Sequence, residues 1–355
     1  MEAYPLKFEP IAVERDWGGT AFFDRLGKTF KYVDEDGNEK ILSPQTRLGE
    51  SYEIADLGEA GETVVSNGFL AGNTLEEITD TYMEELLGDN PSQYFGVQFP
   101  LLARLADIRG SLPVHVHPDD HTAFERYDAL GKKELWYIME AEKGASVYLG
   151  FNRTLSAEEL FDRCMDGSIK EVMHRIRPEK GDIIEIPAGL AHSAEGGILA
   201  AIIEEPSLIS FNMYGPECGK EEMITHIGES LDSIMLEACS PAKLVSRKEG
   251  IVSDTDEFTA ERFSINPGSE TTVNLEETDS VQLYFCIEGN AVIKCEPGKN
   301  PSECRIARGE AAIIPACADK TVITAGKTGC TMIAAHLRER EEHDSYTDDH
   351  ERSQN

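Results

Sequence analysis

Basic side chains are scarce in this sequence: 33 Lys and Arg stand against 66 Asp and Glu among 355 residues, a formal net charge of -33. Nucleic acids and anionic membrane surfaces are bound by Lys/Arg patches that displace counterions, so this balance argues against both as partners. An anionic small molecule would have to be met by a local basic site set against the field of the whole chain. No apolar run approaches the roughly 20 residues of a membrane span. The opening MEAYPLKFEP has neither the basic start nor the apolar core of a secretory signal, and a cytoplasmic protein is expected. The eight cysteines (164, 218, 239, 286, 295, 304, 317 and 330) include no Cys-x-x-Cys pair. Reduced, mostly buried thiols are expected, not a disulfide framework or a cysteine metal cluster.

What is present is a chain long enough for two domains, each with its own core. The fold class expected is mostly β, two jelly-roll barrels with helical insertions in the first. The first domain is expected over 1–240, the second over 241–338, and the charged, apolar-poor segment 339–355 reads as disordered. Trp17-Gly-Gly19 suggests a hairpin corner with the indole in the core. Thr74 and Glu77 form a capping box at the head of a helix through Leu87, and Ser156 and Glu159 another for a helix through about Met165. A third helix is expected over about Glu221–Leu236, with Met223, Ile227, Leu231 and Ile234 on one face, before a boundary near Pro241. From Leu244 onward short strands alternate with Gly, Pro and Asn turns. Leu135-Trp-Tyr-Ile138 and Gly181…Pro187 are echoed by Gln282-Leu-Tyr-Phe285 and Gly309…Pro315, an internal repeat. In that overlay Glu134 falls on Val281 and His192 on Lys320, so the second copy lacks the chemistry of the first.

That chemistry sits between Ser111 and His192. His115 and His117 alternate with Val114 and Val116, which on a strand turns both imidazoles to one face and both valines to the other. Glu134 opens a buried-looking strand, and Gly181…Pro187-x-Gly189-x-x-His192 fits the second signature of cupin barrels. Three imidazoles and one carboxylate on separate β-segments suit a single divalent metal. His-x-His alone is a weak signal, and two surface histidines are its other reading. His121, His174 and His226 lack such context and read as surface residues.

Trp17-Gly-Gly19, Gly49-Glu-Ser-Tyr-Glu53, His117-Pro-Asp-Asp120, Gly131-Lys-Lys-Glu134 and Ile186-Pro-Ala-Gly-Leu-Ala-His192 together resemble the type I mannose-6-phosphate isomerase family over nearly the whole chain. The resemblance implies one Zn2+ held by His115, His117, Glu134 and His192, with Mn2+ or Fe2+ as other candidates. It also implies a small-molecule sugar phosphate as partner, monomer or homodimer, and isomerisation of mannose 6-phosphate to fructose 6-phosphate through a cis-enediolate. His115 stands where most members have Gln. Lys132 matches the family's active-site lysine. Glu204, after the strand-like Ala200-Ala-Ile-Ile203, is a candidate base, with a charged strand end as its plainer role. Asn212 occupies the place of the active-site arginine and Pro113 that of a phosphate-contacting serine, and Asn cannot replace a guanidinium fork. Either another basic residue such as Lys133 or Lys220 substitutes, or the substrate differs. A metal-dependent oxidative cupin and a catalytically silent sugar-binding protein therefore stand as alternatives.

Overall fold

The structure is a computed structural model that describes residues 1–34, 37–215, 218–275, 278–296 and 303–339, so the expected disordered tail lies, from residue 340 on, outside the described residues. Contacts divide the chain into two units: residues 12–51 with 105–247, and residues 1–11, 52–104 and 248 onward. This differs from a single boundary at 240. The division falls inside the strands Leu48–Ile54 and Leu102–Ile108, each one continuous strand.

The first unit is a jelly roll, the barrel of the cupin fold. One sheet runs, in hydrogen-bonded order, Met173–Ile176, Ser146–Phe151, His192–Glu195, Val114–Val116 and Phe211–Tyr214. The other places Ile183–Ile186, Glu134–Ala141 and Ile198–Glu204 side by side. Period-two alternation sends Val147, Leu149 and Ala194 of one sheet, and Trp136, Ile138, Ile184, Ala200 and Ile202 of the other, into a shared core. On its other face the first sheet carries Val114, Val116, Tyr148, Phe211 and Met213. These pack against Leu160 and Cys164 of the helix Ala157–Asp166 and Ile227 of the helix Lys220–Ser230.

Local signals in this unit hold with three exceptions. Ser156 Oγ accepts from Glu159 N at 3.1 Å, but the Glu159 carboxylate turns to Arg153 and Arg163, each at 2.8 Å, so the second capping box is only half formed. The helix expected through Leu236 ends at Ser230, whose hydroxyl bonds Ile227 O and whose carbonyl accepts from Ser233 and Ile234 in a reversing turn. Trp17 is buried as expected, yet Gly18 and Gly19 form no corner: the strand Ile11–Gly19 runs through them. A Cβ on Gly18 would lie 2.5 Å from Gly49 N, so close approach of two strands, not a turn, requires glycine there.

In the second unit the strands expected at 281–287 and 290–295 are one bulged strand, Gln282–Glu296, and those at 321–325 and 330–335 are likewise one, Lys320–His336. The Thr74–Glu77 capping box is complete. The helix it opens, Leu75–Leu87, belongs to this unit and is not an insertion in the first barrel. Its last carbonyls, on Glu85, Leu86 and Leu87, accept from the backbones of Cys317, Ala316 and Val281. The carboxylate of Asp279 caps the following helix at Asp89 and Asn90, both at 2.7 Å. Helix ends with four orphan groups each are thus satisfied by the β-region they dock on. Among the described residues no helix is long and apolar enough to cross a membrane. All eight cysteines are free thiols, five of them buried, and burial pushes Cys164, Cys286, Cys295 and Cys304 up to about 12.

Candidate metal centre

His192 pairs directly with His115 across neighbouring strands, which puts both imidazoles on the same face of the sheet. His117, two residues along, shares that face, with the valines turned under the helices as alternation requires. The three ligand nitrogens lie within 4.8 Å of one another, and the ring centroids of His115 and His192 are 4.0 Å apart. The cupin signature explains this placement. Gly181 (φ +91) and Gly189 (φ +80) take backbone conformations that favour glycine, and Gly189 N donates to His117 O at 2.8 Å, tying the turn before His192 to the end of the His115 strand.

Each imidazole is fixed through Nδ1: His115 to Pro113 O at 2.9 Å, His117 to Ile209 O at 2.8 Å, His192 to Leu190 O at 2.9 Å. A carbonyl only accepts, so Nδ1 carries the hydrogen and Nε2 is left with its lone pair, the tautomer that binds a metal. Nε2 of His117 is buried without a hydrogen-bond partner, and that of His192 lies 2.9 Å from Glu134 Oε2. Burial holds the His115 imidazole down to about 3, aided by His192, and burial followed by the Lys132 charge holds His117 well below its usual value. Burial, the largest influence, would raise the Glu134 carboxyl, but the hydrogen bond and charge of His192, together with His117 and Glu204, outweigh it and hold the group well below the carboxylate range. Three imidazoles anchored through Nδ1 and facing a carboxylate in a buried cluster are a donor set that a divalent cation fits.

The neighbours are placed by the same strands. Glu204 is the register partner of Glu134, so the two carboxylates share a face, and both are 1% exposed. Lys132 Nζ stands 3.6 Å from Glu204 Oε1. Its backbone N donates to Pro118 O at 3.0 Å and Gly131 N donates to Asp120 Oδ1 at 2.9 Å, so His117-Pro-Asp-Asp120 physically holds Gly131-Lys132. Asn212 is the register partner of His115 and lies on its face. Of the seven residues singled out from the sequence, His115, His117, His192 and Asn212 lie on one sheet, Glu134 and Glu204 on the other, and Lys132 two residues ahead of the Glu134 strand.

Lys133 does not stand in for the absent arginine. It points away from the Glu134 face and is 2% exposed, with Nζ 2.9 Å from Glu185 Oε1. Lys220 is exposed at the first turn of its helix. Glu205 was passed over in the sequence, and two histidines were expected on the surface. Glu205 fastens the lysine segment by accepting from Lys133 N at 2.8 Å. His226, expected on the surface, is half-buried, and its Nδ1 accepts from Asn212 N at 3.0 Å. His174, likewise, bonds Cys239 O at 3.0 Å. These contacts span 14, 65 and 72 residues and leave no local pattern.

No protein-family profile matches the chain. It is 34% identical over 215 residues to mannose-6-phosphate isomerase ManA of Bacillus subtilis (strain 168), which covers 60% of this chain and 62% of ManA, under two thirds of that protein's length. YvyI of the same organism, named as a candidate for the same activity, is 26% identical over 353 residues, 95% of this chain and 100% of YvyI. The crystal structure of mannose 6-phosphate isomerase from Bacillus subtilis has the same fold, with a TM-score of 0.74 at 24% identity over 94% of this chain and 100% of that one. The chain thus shares the fold of a solved mannose 6-phosphate isomerase and is similar in sequence, over part or all of its length, to proteins named for that activity.

Proposed function

We propose that this protein is a zinc-dependent aldose-ketose isomerase that interconverts mannose 6-phosphate and fructose 6-phosphate, or a close sugar-phosphate analogue. The observation that carries this is the convergence of three imidazoles, each anchored through Nδ1, with Glu134 Oε2 2.9 Å from His192 Nε2 and Lys132 Nζ 3.6 Å from Glu204 Oε1. His115, His117, Glu134 and His192 would hold the ion. Zinc suits this donor set, and when bound it supplies Lewis-acid stabilisation of negative charge on a sugar oxygen.

The chain's own residues supply the rest. Moving a carbonyl between C1 and C2 requires a proton to leave the carbon alpha to the carbonyl and to return to the adjacent carbon, through a cis-enediolate. Glu204 is the base: it is buried, shares the face of Glu134, and needs to travel only between neighbouring carbons. Lys132, with Nζ 3.6 Å from Glu204 Oε1, balances charge developing on the sugar oxygen or resting on the phosphate. Asn212 offers an amide where the family has a guanidinium, which positions a hydroxyl or phosphate oxygen without adding charge. The test is a coupled assay for fructose 6-phosphate formed from mannose 6-phosphate by the zinc-loaded protein.

A second reading, favoured by Asn212 and Pro113, is a silent sugar-binding protein. Binding of mannose 6-phosphate by calorimetry without turnover, and turnover on restoring Asn212→Arg, would decide for it. Oxygen uptake on turnover would instead mark an oxidative cupin.

A further inference from the structure

We propose that Asp120 and Glu205 are a pair of positioning residues that hold Lys132 beside Glu204 by gripping its backbone from both sides, an inference whose kinetic consequence rests on the isomerase reading. Lys132 belongs to no helix or strand. The helix Asp120–Tyr127 ends before it, and the strand Glu134–Ala141 begins two residues after it. A flexible four-carbon side chain on an irregular segment places its charge loosely, whereas catalysis needs a group held to within about 0.5 Å. Here three successive amides are each held by a different group. Gly131 N donates to Asp120 Oδ1 at 2.9 Å, Lys132 N to Pro118 O at 3.0 Å and Lys133 N to Glu205 Oε2 at 2.8 Å. The two outer bonds end on carboxylates, which hold an N–H more firmly than a neutral acceptor does.

The Glu205 side chain takes a place that backbone would ordinarily fill. Glu204 and Glu134 are the last register pair of their two strands. One step further, Glu205 N donates to Lys133 O at 3.3 Å, as an antiparallel pair requires. The return bond does not follow, because the chain turns at Pro206 and the Glu205 carbonyl accepts from Ser207 N at 2.9 Å. The carboxylate supplies the acceptor that the carbonyl withdraws. Adjacent residues of extended chain point to opposite faces, which turns Glu205 away from Glu204 and Glu134. It is 4% exposed on that other side, so its effect on the site runs through the segment it holds. On the Asp120 side the chain passes so close that a Cβ on Gly131 would lie 2.4 Å from Asp119 C. Glycine lets the lysine segment lie against His117-Pro-Asp-Asp120, and the Asp120 carboxylate fixes it there.

The experiment is a double-mutant cycle on the zinc-loaded full chain, with metal content, melting temperature and kcat for mannose 6-phosphate measured on each variant. Asp120→Ala and Glu205→Ala should each keep the metal and lose about tenfold in kcat. Asp120→Asn and Glu205→Gln retain an acceptor oxygen and should recover most of that loss, which keeps the test readable if an alanine variant folds poorly. In a Lys132→Ala background either alanine change should cost less than about twofold more, since no ammonium remains to be misplaced. Losses that multiply in full with that of Lys132→Ala overturn the proposal, as does loss of metal or failure of the amide variants to recover. Hydrogen exchange reads the same grip without turnover: Glu205→Ala should speed exchange at the Lys133 amide and Asp120→Ala at the Gly131 amide. Unchanged exchange at both overturns the proposal. A parent chain that forms no fructose 6-phosphate overturns the isomerase assignment instead, and hydrogen exchange then decides on the grip alone.

Discussion

His192 is the residue whose surroundings demand the most. With Nδ1 committed to Leu190 O, its Nε2 meets the Glu134 carboxylate at 2.9 Å in a fully buried cluster. Two lone pairs at that distance repel unless a proton or a cation lies with them. His192→Ala and His117→Ala should each lose bound metal by elemental analysis and all detectable isomerisation. Lys132→Ala should keep the metal and lose about a hundredfold or more in kcat, since it removes a charge near developing negative charge. Elsewhere Glu62 gives a pH signature. Burial, with Asp56 and Glu76 as like-charged neighbours, raises its carboxyl from 4.5 to about 7 against the hydrogen bond from Glu76 N. The folded chain therefore binds this proton more tightly than the unfolded one, so the cost to stability is full above about pH 7 and disappears as pH falls toward the unfolded value. Glu62→Gln should melt about 2 °C above the parent near pH 8 and together with it near pH 5, the effect being kept small by partial solvent screening. At this scale the three histidines that the fold groups together were legible in the sequence, because His-x-His and the Gly-Pro-Gly-His spacing are local. It could not show Glu205 or His226, whose roles come from contacts across the fold.

Among the elements, those with chemical punctuation were legible. The capping box at Thr74 formed in full, and Thr74→Ala should cost about 1 kcal/mol in urea unfolding. The glycine pair after Trp17 was seen but its reason was not. Sequence suggested a turn, whereas the constraint is the approach of Gly49, a residue thirty-one positions away in the chain. Gly18→Ala should therefore destabilise by about 2 kcal/mol through overpacking, with no gain from reduced chain entropy to offset it. Bulges at 286–288 and 289–291 let one strand bend without ending, which is why Gly289 and its neighbours read as turns between separate strands.

For the whole molecule, composition gave the class and the charge but not the partition. Residues 1–11 and 52–104 join the later β-region through pairings such as Leu6 with Ile313 and the capping of Asp89 by Asp279, which no stretch of sequence announces. The net charge of -33 has a functional consequence. On the proposed function, a sugar phosphate would approach against the overall field and be met by Lys132 only at close range. Raising ionic strength from about 0.01 M to 0.1 M should therefore increase kcat/KM, the reverse of ordinary electrostatic steering. The most direct measurement is metal content and turnover on one preparation: elemental analysis, then the coupled assay with mannose 6-phosphate, before and after chelation and after zinc is restored. One zinc per chain is expected, with fructose 6-phosphate formed, lost and regained in step with it. A folded protein that forms fructose 6-phosphate equally well without metal, or that holds its zinc and forms none, would contradict the assignment.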